Sequence, residues 1–117
     1  MSYSDDQCVK VFDSQGNFLF DIGESGFCDG QFNRPRGLAV DQHDQLLVCD
    51  GWNNRIQVFS LDGSFLTKFG SRGKGAGQFI FPIDLSITPD GQILVCEVKG
   101  ERVQVFQGLD NHQCKDQ

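Results

Sequence analysis

The dipeptide Val-Phe stands at positions 11, 58 and 105, and the step of 47 residues between copies extends well beyond those two residues. Laid over one another without gaps, 9–55 and 56–102 match Gly16 with Gly63, Leu19 with Leu66, Gly23 with Gly70 and Gly26 with Gly73. Gly30-Gln31-Phe32 then falls on Gly77-Gln78-Phe79, Pro35 on Pro82, Leu47-Val48-Cys49 on Leu94-Val95-Cys96, and Arg55 on Arg102. A repeat of this length restricts the chain to an array of like units, because one unit cannot bury its apolar face alone.

Within a unit the pattern is that of strands. Four short runs rich in Val, Leu, Ile and Phe, at Gly37–Asp41, Leu46–Asp50, Arg55–Ser60 and Phe65–Phe69, are separated by Asp, Asn, Gly and Ser. Asp62-Gly63 is a hairpin signal, since glycine reaches positive φ without steric cost. Four strands in order make one antiparallel meander, too small to stand alone. Such a sheet repeated every ~40–50 residues is the mark of a β-propeller blade array. The expected fold is therefore all-β, a partial β-propeller of four-stranded antiparallel blades. Residues 1–8 are expected as a mobile lead and 9–22 as the third and fourth strands of one blade. Residues 37–69 form a whole blade, 84–106 the first three strands of another, and 107–117 a polar tail.

The run from Phe32 to Phe79 resembles an NHL repeat. The resemblance is carried by Pro35-x-Gly37, Asp50 followed by Asn53-Asn54-Arg55-Ile56, Val58-Phe59, Asp62-Gly63, Phe69-Gly70 and the closing Gly-x-Gly-Gln-Phe. It extends over roughly residues 9–106 and is strongest toward the C-terminal NHL propellers of tripartite-motif (RING, B-box, coiled-coil) ubiquitin ligases. It implies target recognition for such a ligase, with the ligase chemistry in a RING domain outside these 117 residues. The second copy departs from the pattern: Glu97–Arg102 lacks the Asn pair and Pro82-Ile83-Asp84 lacks the glycine. A family propeller closes with six blades, so the remainder is expected from a longer chain or from three copies closing a ring head to tail.

Charge and cysteines narrow the setting. Ten Lys and Arg against sixteen Asp and Glu give a net charge of -6, which disfavours generic nucleic-acid binding but leaves room for a local basic patch. Five cysteines, an odd number with no C-x-x-C pair, fit neither a zinc site nor a disulfide framework, and point to a reducing, cytoplasmic compartment. Cys49 and Cys96 hold the same place in successive copies and are expected as small buried fillers. No apolar run approaches ~20 residues, so no membrane span is expected, and MSYSDDQC has no signal-peptide character.

The two copies share a candidate brace. Asp50 and Arg55 recur as Glu97 and Arg102, an acid and a base at constant spacing, expected to tie the end of one strand to the start of the next. Phe32 and Phe79 are expected as plugs wedged between blades. The glycine-rich stretches GESGFCDG and GSRGKGAG lead into Gln-Phe and a strand rather than a helix, so they turn the backbone rather than cradle phosphate.

Where the copies differ, the residues point to binding. The crossover loop and the second-to-third-strand loop emerge on one face, which carries Asn33, Arg34, Arg36, Trp52 and Asn53 in the first copy. The second has Ile80, Phe81, Ile83, Lys99 and Gly100 there. Trp and Arg are enriched in binding hot spots, so Arg34, Arg36, Trp52, Asn53, Phe81 and Lys99 form the candidate ligand-binding face. Such a face would grip an acidic protein or peptide segment, or stack and pair with single-stranded RNA. The competing expectation is a propeller enzyme, lactonase- or lyase-like, with a central calcium or zinc. It needs converging His or carboxylate ligands from several blades. The chain has only His43 and His112, both outside its strands, and Asp41 becomes Thr88 in the second copy. A non-catalytic role without cofactor or metal is the better expectation.

Overall fold

The computed structural model describes residues 2–3, 7–97 and 101–107. Among the described residues twelve strands occur in chain order. The first sheet holds β1 (Ser2–Tyr3), β2 (Cys8–Phe12) and β3 (Phe18–Ile22), and the crossover after it carries β4 (Glu24–Ser25) and β5 (Gln31–Phe32). The central sheet follows with β6 (Pro35–Val40), β7 (Gln45–Asp50), β8 (Arg55–Ser60) and β9 (Phe65–Phe69). The last holds β10 (Pro82–Ile87), β11 (Ile93–Glu97) and β12 (Arg102–Phe106). Each of these three sheets is an antiparallel meander in sequence order. They are a part-blade, a full four-stranded blade and a three-stranded part-blade, so the chain is a partial β-propeller.

The boundaries differ from the sequence reading in three places. Within the expected lead 1–8, Ser2–Tyr3 pairs with Cys8 and Val9, and β2 begins at Cys8. The innermost strands begin at Pro35 and Pro82, two residues before the expected starts at 37 and 84. Proline is tolerated as a first strand residue beside a register shift, and both ladders shift just after it. Residues 108–117, most of the expected tail, lie outside the described residues.

Burial explains why the blades stack. All of Gln45–Asp50 except Gln45 is buried, because β7 is covered on both faces. Alternation sends Leu46 and Val48 toward the first blade, with Val9, Ile22, Phe32 and Phe59. Leu47 and Cys49 go the other way, to Ile56, Val58, Phe79, Leu85, Ile93 and Val95. Phe32 and Phe79 are the largest plugs, both fully buried, each with its ring centroid 5.7 Å from the last phenylalanine of the following third strand, Phe59 or Phe106. Full burial of each ring contributes about 1.5–3 kcal/mol. Gly70 makes room for its plug: at φ +101°, a Cβ there would sit 2.4 Å from Cε2 of Phe79.

Cys96 departs from expectation. Cys49 is buried, but Cys96 is exposed on a face with Leu94, Val103 and Val105. Those four are the repeat equivalents of Leu47, Cys49, Ile56 and Val58, which the last blade covers in the central one. No described element covers them.

A hydrogen bond also crosses each seam. Gln7 and Asn54 close their loops in the left-handed region at φ 54° and 56°. The side-chain oxygen of Gln7 accepts from the backbone N–H of Arg34, and that of Asn54 from Phe81 N–H at 2.7 Å. Glu101, the third equivalent, has the same backbone shape at φ 54°.

Candidate functional site

Below the candidate face lies the brace, and it is larger than two residues. The fully buried Asp50 accepts at Oδ1 from Asn33 N–H (2.7 Å), and at Oδ2 from Arg55 Nε (2.8 Å), Asn53 Nδ2 (3.0 Å) and Gln57 Nε2 (3.1 Å). Arg55 donates onward to the carbonyls of Cys28 and Gln31, and Gln57 bridges Gln31 O and Gly30 N–H. Strand ends and crossover loop are thereby tied together, which satisfies backbone groups that the glycine-rich turn leaves without ladder partners. The second copy repeats this with Glu97, Arg102 and Gln104: Glu97 accepts from Ile80 N–H, Arg102 Nε and Gln104 Nε2, and Arg102 reaches the carbonyls of Lys74, Gly75 and Gln78. Burial alone would raise the Glu97 carboxyl. The Ile80 N–H, the Gln104 amide and Arg102 outweigh it and hold the group below its ordinary value.

Gln57 and Gln104 are members that the sequence reading missed. Their signal was present: a glutamine kept at the same register of two otherwise apolar strands. Asn53, placed on the candidate face by sequence, is half-buried and also joins the brace, its Nδ2 donating to Asp50 and to Gly26 O (2.9 Å).

The brace carries a surface patch. Gly51 N–H donates to Arg34 O (3.1 Å) and Trp52 N–H to Asn33 O (3.0 Å), so the crossover and the second-to-third-strand loop do share one face. Gly51 is boxed in. A Cβ there would lie 2.9 Å from Arg34 O, 3.1 Å from the Phe81 ring and 3.3 Å from Arg36 Cγ. Arg34, Arg36, Trp52 and Phe81 thus converge around one glycine, from two successive crossovers, the start of β6 and one loop. The Arg34 guanidinium lies 4.7 Å over the Trp52 ring, and Phe81 tilts against the same ring at 6.2 Å. Arg34 and Phe81 sit at φ 60° and 56°, an uncommon conformation for such residues, which the seam hydrogen bonds hold in place. Between its contacts with Arg34 and Phe81, Trp52 remains 54% exposed. Lys99, also a candidate, lies outside the described residues. Among the described residues no group of three His, Cys, Asp or Glu side chains is placed to hold a metal ion.

Blades of this topology define the class, a β-propeller segment, and comparison with known proteins adds the repeat type. Residues 32–59 match the NHL repeat, so the chain carries at least one such repeat. The crystal structure of a structural-genomics protein of unknown function from Bacteroides thetaiotaomicron VPI-5482 superposes with a TM-score of 0.72 at 18% identity, over 90% of this chain and 31% of that one. That likeness shows the fold, and the chain spans about a third of that structure's length. No curated protein matches the chain. Among the described residues no helix is long and apolar enough to cross a membrane.

Proposed function

We propose that the chain is a non-catalytic recognition segment of an NHL propeller, whose loop face binds an acidic segment of a protein ligand. The observation that carries this is the convergence of Arg34, Arg36, Trp52 and Phe81 on a rigid support, with the Arg34 guanidinium 4.7 Å over an exposed indole. A cation stacked this way is oriented before the ligand arrives, which lowers the ordering cost of binding. Arg34 lies over one face of the indole, so the group presented there is a guanidinium fork suited to carboxylates, while the rest of the ring stays open. In keeping with the sequence resemblance, the role is target choice for a protein of the tripartite-motif ubiquitin ligase type in the cytoplasm, with ligase chemistry supplied by a RING domain.

The test is a phage-displayed random peptide library selected on the whole chain. Enriched peptides are expected to be acidic and to bind Arg34→Ala and Trp52→Ala at least about tenfold more weakly, a hot-spot-sized loss. Melting temperatures should stay within about 3 °C of wild type. Failure to enrich acidic sequences would overturn the proposal. So would tighter binding of a single-stranded RNA 12-mer with steep salt dependence.

A further inference from the structure

Phe27 is the most exposed large apolar side chain among the described residues, at 78%, and the function proposed above makes no use of it. It is not on a loose loop. On one side, Gly26 donates its N–H to Phe32 O (3.0 Å) and accepts at its carbonyl from Asn53 Nδ2. On the other, Cys28 N–H donates to Gln31 Oε1 (3.1 Å) and Cys28 O accepts from Arg55 (2.9 Å). The brace therefore clamps the backbone on both sides of the ring and holds an apolar group out into water.

The bond from Asn53 to Gly26 also brings together the segments that carry Trp52 and Phe27, the residues next in chain to that donor and that acceptor. The repeat also changes the character of both positions in the same direction. Phe27 and Trp52, both aromatic, are replaced one repeat later by Lys74 and Lys99, both cationic. Nearby charges fix what could approach. Glu24 is engaged by the Gln31 amide and Asp29 by Lys68, whereas Arg34 has no carboxylate partner among the described residues.

We infer that Phe27 and Trp52 form a two-walled apolar subsite beside the Arg34 anion subsite, so that the ligand is an acidic peptide carrying one large apolar side chain next to its carboxylates. This rests on the loop-face reading and specifies its ligand. One wall lies on the crossover and the other on the second-to-third-strand loop, both fixed before binding, as an aromatic anchor site requires.

Two fluorescein-labelled 12-residue peptides of Asp, Glu, Ser and Gly serve as probes in fluorescence anisotropy, identical except for one central Trp in the second. Wild type is expected to bind the Trp peptide about fivefold or more tightly than the all-polar one, the preference a single buried aromatic supports. Phe27→Lys, which installs the residue of the second copy, should reduce that preference to under about twofold while leaving the all-polar peptide's affinity within about threefold. Phe27→Ser separates loss of the ring from gain of charge and should reduce the preference equally. An undiminished preference in both variants would overturn the subsite and leave the Arg34 reading standing. Absence of binding of either peptide to wild type would overturn both.

Discussion

Replacing Asp50 by Ala tests whether the buried brace or the apolar seams dominate stability. The substitution removes four acceptor contacts at once, to Asn33, Asn53, Arg55 and Gln57. Arg55 is only 7% exposed, so its charge stays buried without its counter-charge. Breaking a buried pair in this way costs about 3–5 kcal/mol. The orphaned Asn33 N–H adds about 1–3 kcal/mol, while the carbonyls of Cys28 and Gln31 still hold the guanidinium. The lower ends of the two ranges give about 4 kcal/mol, a large part of the roughly 5–15 kcal/mol that keeps a domain folded. Glu97→Ala is the internal control. It removes the same chemistry, but the Arg102 side chain is 31% exposed and water can replace part of the lost partner, so about 1–3 kcal/mol is expected. Urea unfolding followed by far-UV circular dichroism measures both. Equal losses for the two variants, or a loss below about 1.5 kcal/mol for Asp50→Ala, would refute the assignment of stability to buried charge in the central blade.

Phe79→Ala should cost about 3–5 kcal/mol in the same assay by opening a cavity at the seam. Gly70→Ala should destabilise more than Gly77→Ala, since both have positive φ but only Gly70 faces the Phe79 ring; equal melting points would contradict this. Glu97 is held below its ordinary carboxyl value of 4.5, so its contribution is complete above that pH and is lost as pH falls through the lower folded value. Glu97→Gln should accordingly flatten the stability curve below pH 4.5, and an unchanged acid limb would count against the brace. Burial pushes the Cys49 thiol far above its ordinary range, so iodoacetamide at neutral pH should label Cys28 and Cys96 and reach Cys49 only on unfolding. Labelling of Cys49 in the folded protein would show that the seam opens.

Much of this fold was legible because the chain states it twice. The step of 47 residues fixes the blade, and Asp50 with Arg55 reads as a brace once Glu97 and Arg102 repeat it. What escaped was long-range and polar. Gln57 looks like an outward polar residue until a crossover loop is known to lie against it, and Asn53 reads as a surface contact until Gly26 O is placed beside it. Phe27 escaped because a phenylalanine in a loop is usually buried by something. Its exposure follows from bonds to its neighbours' backbones, which no local pattern encodes.

The seam hydrogen bonds have a consequence for how such a chain can grow. On one side stands a backbone N–H, which any residue but proline supplies; on the other, a left-handed residue offers an amide oxygen, in Gln7 and in Asn54, and Glu101 holds the same backbone shape. Nothing in that joint distinguishes one junction from the next. A copied repeat can therefore be spliced in beside its parent and meet both neighbours with joints already made, leaving the exposed loops free to diverge, as Phe27 and Trp52 have diverged from Lys74 and Lys99.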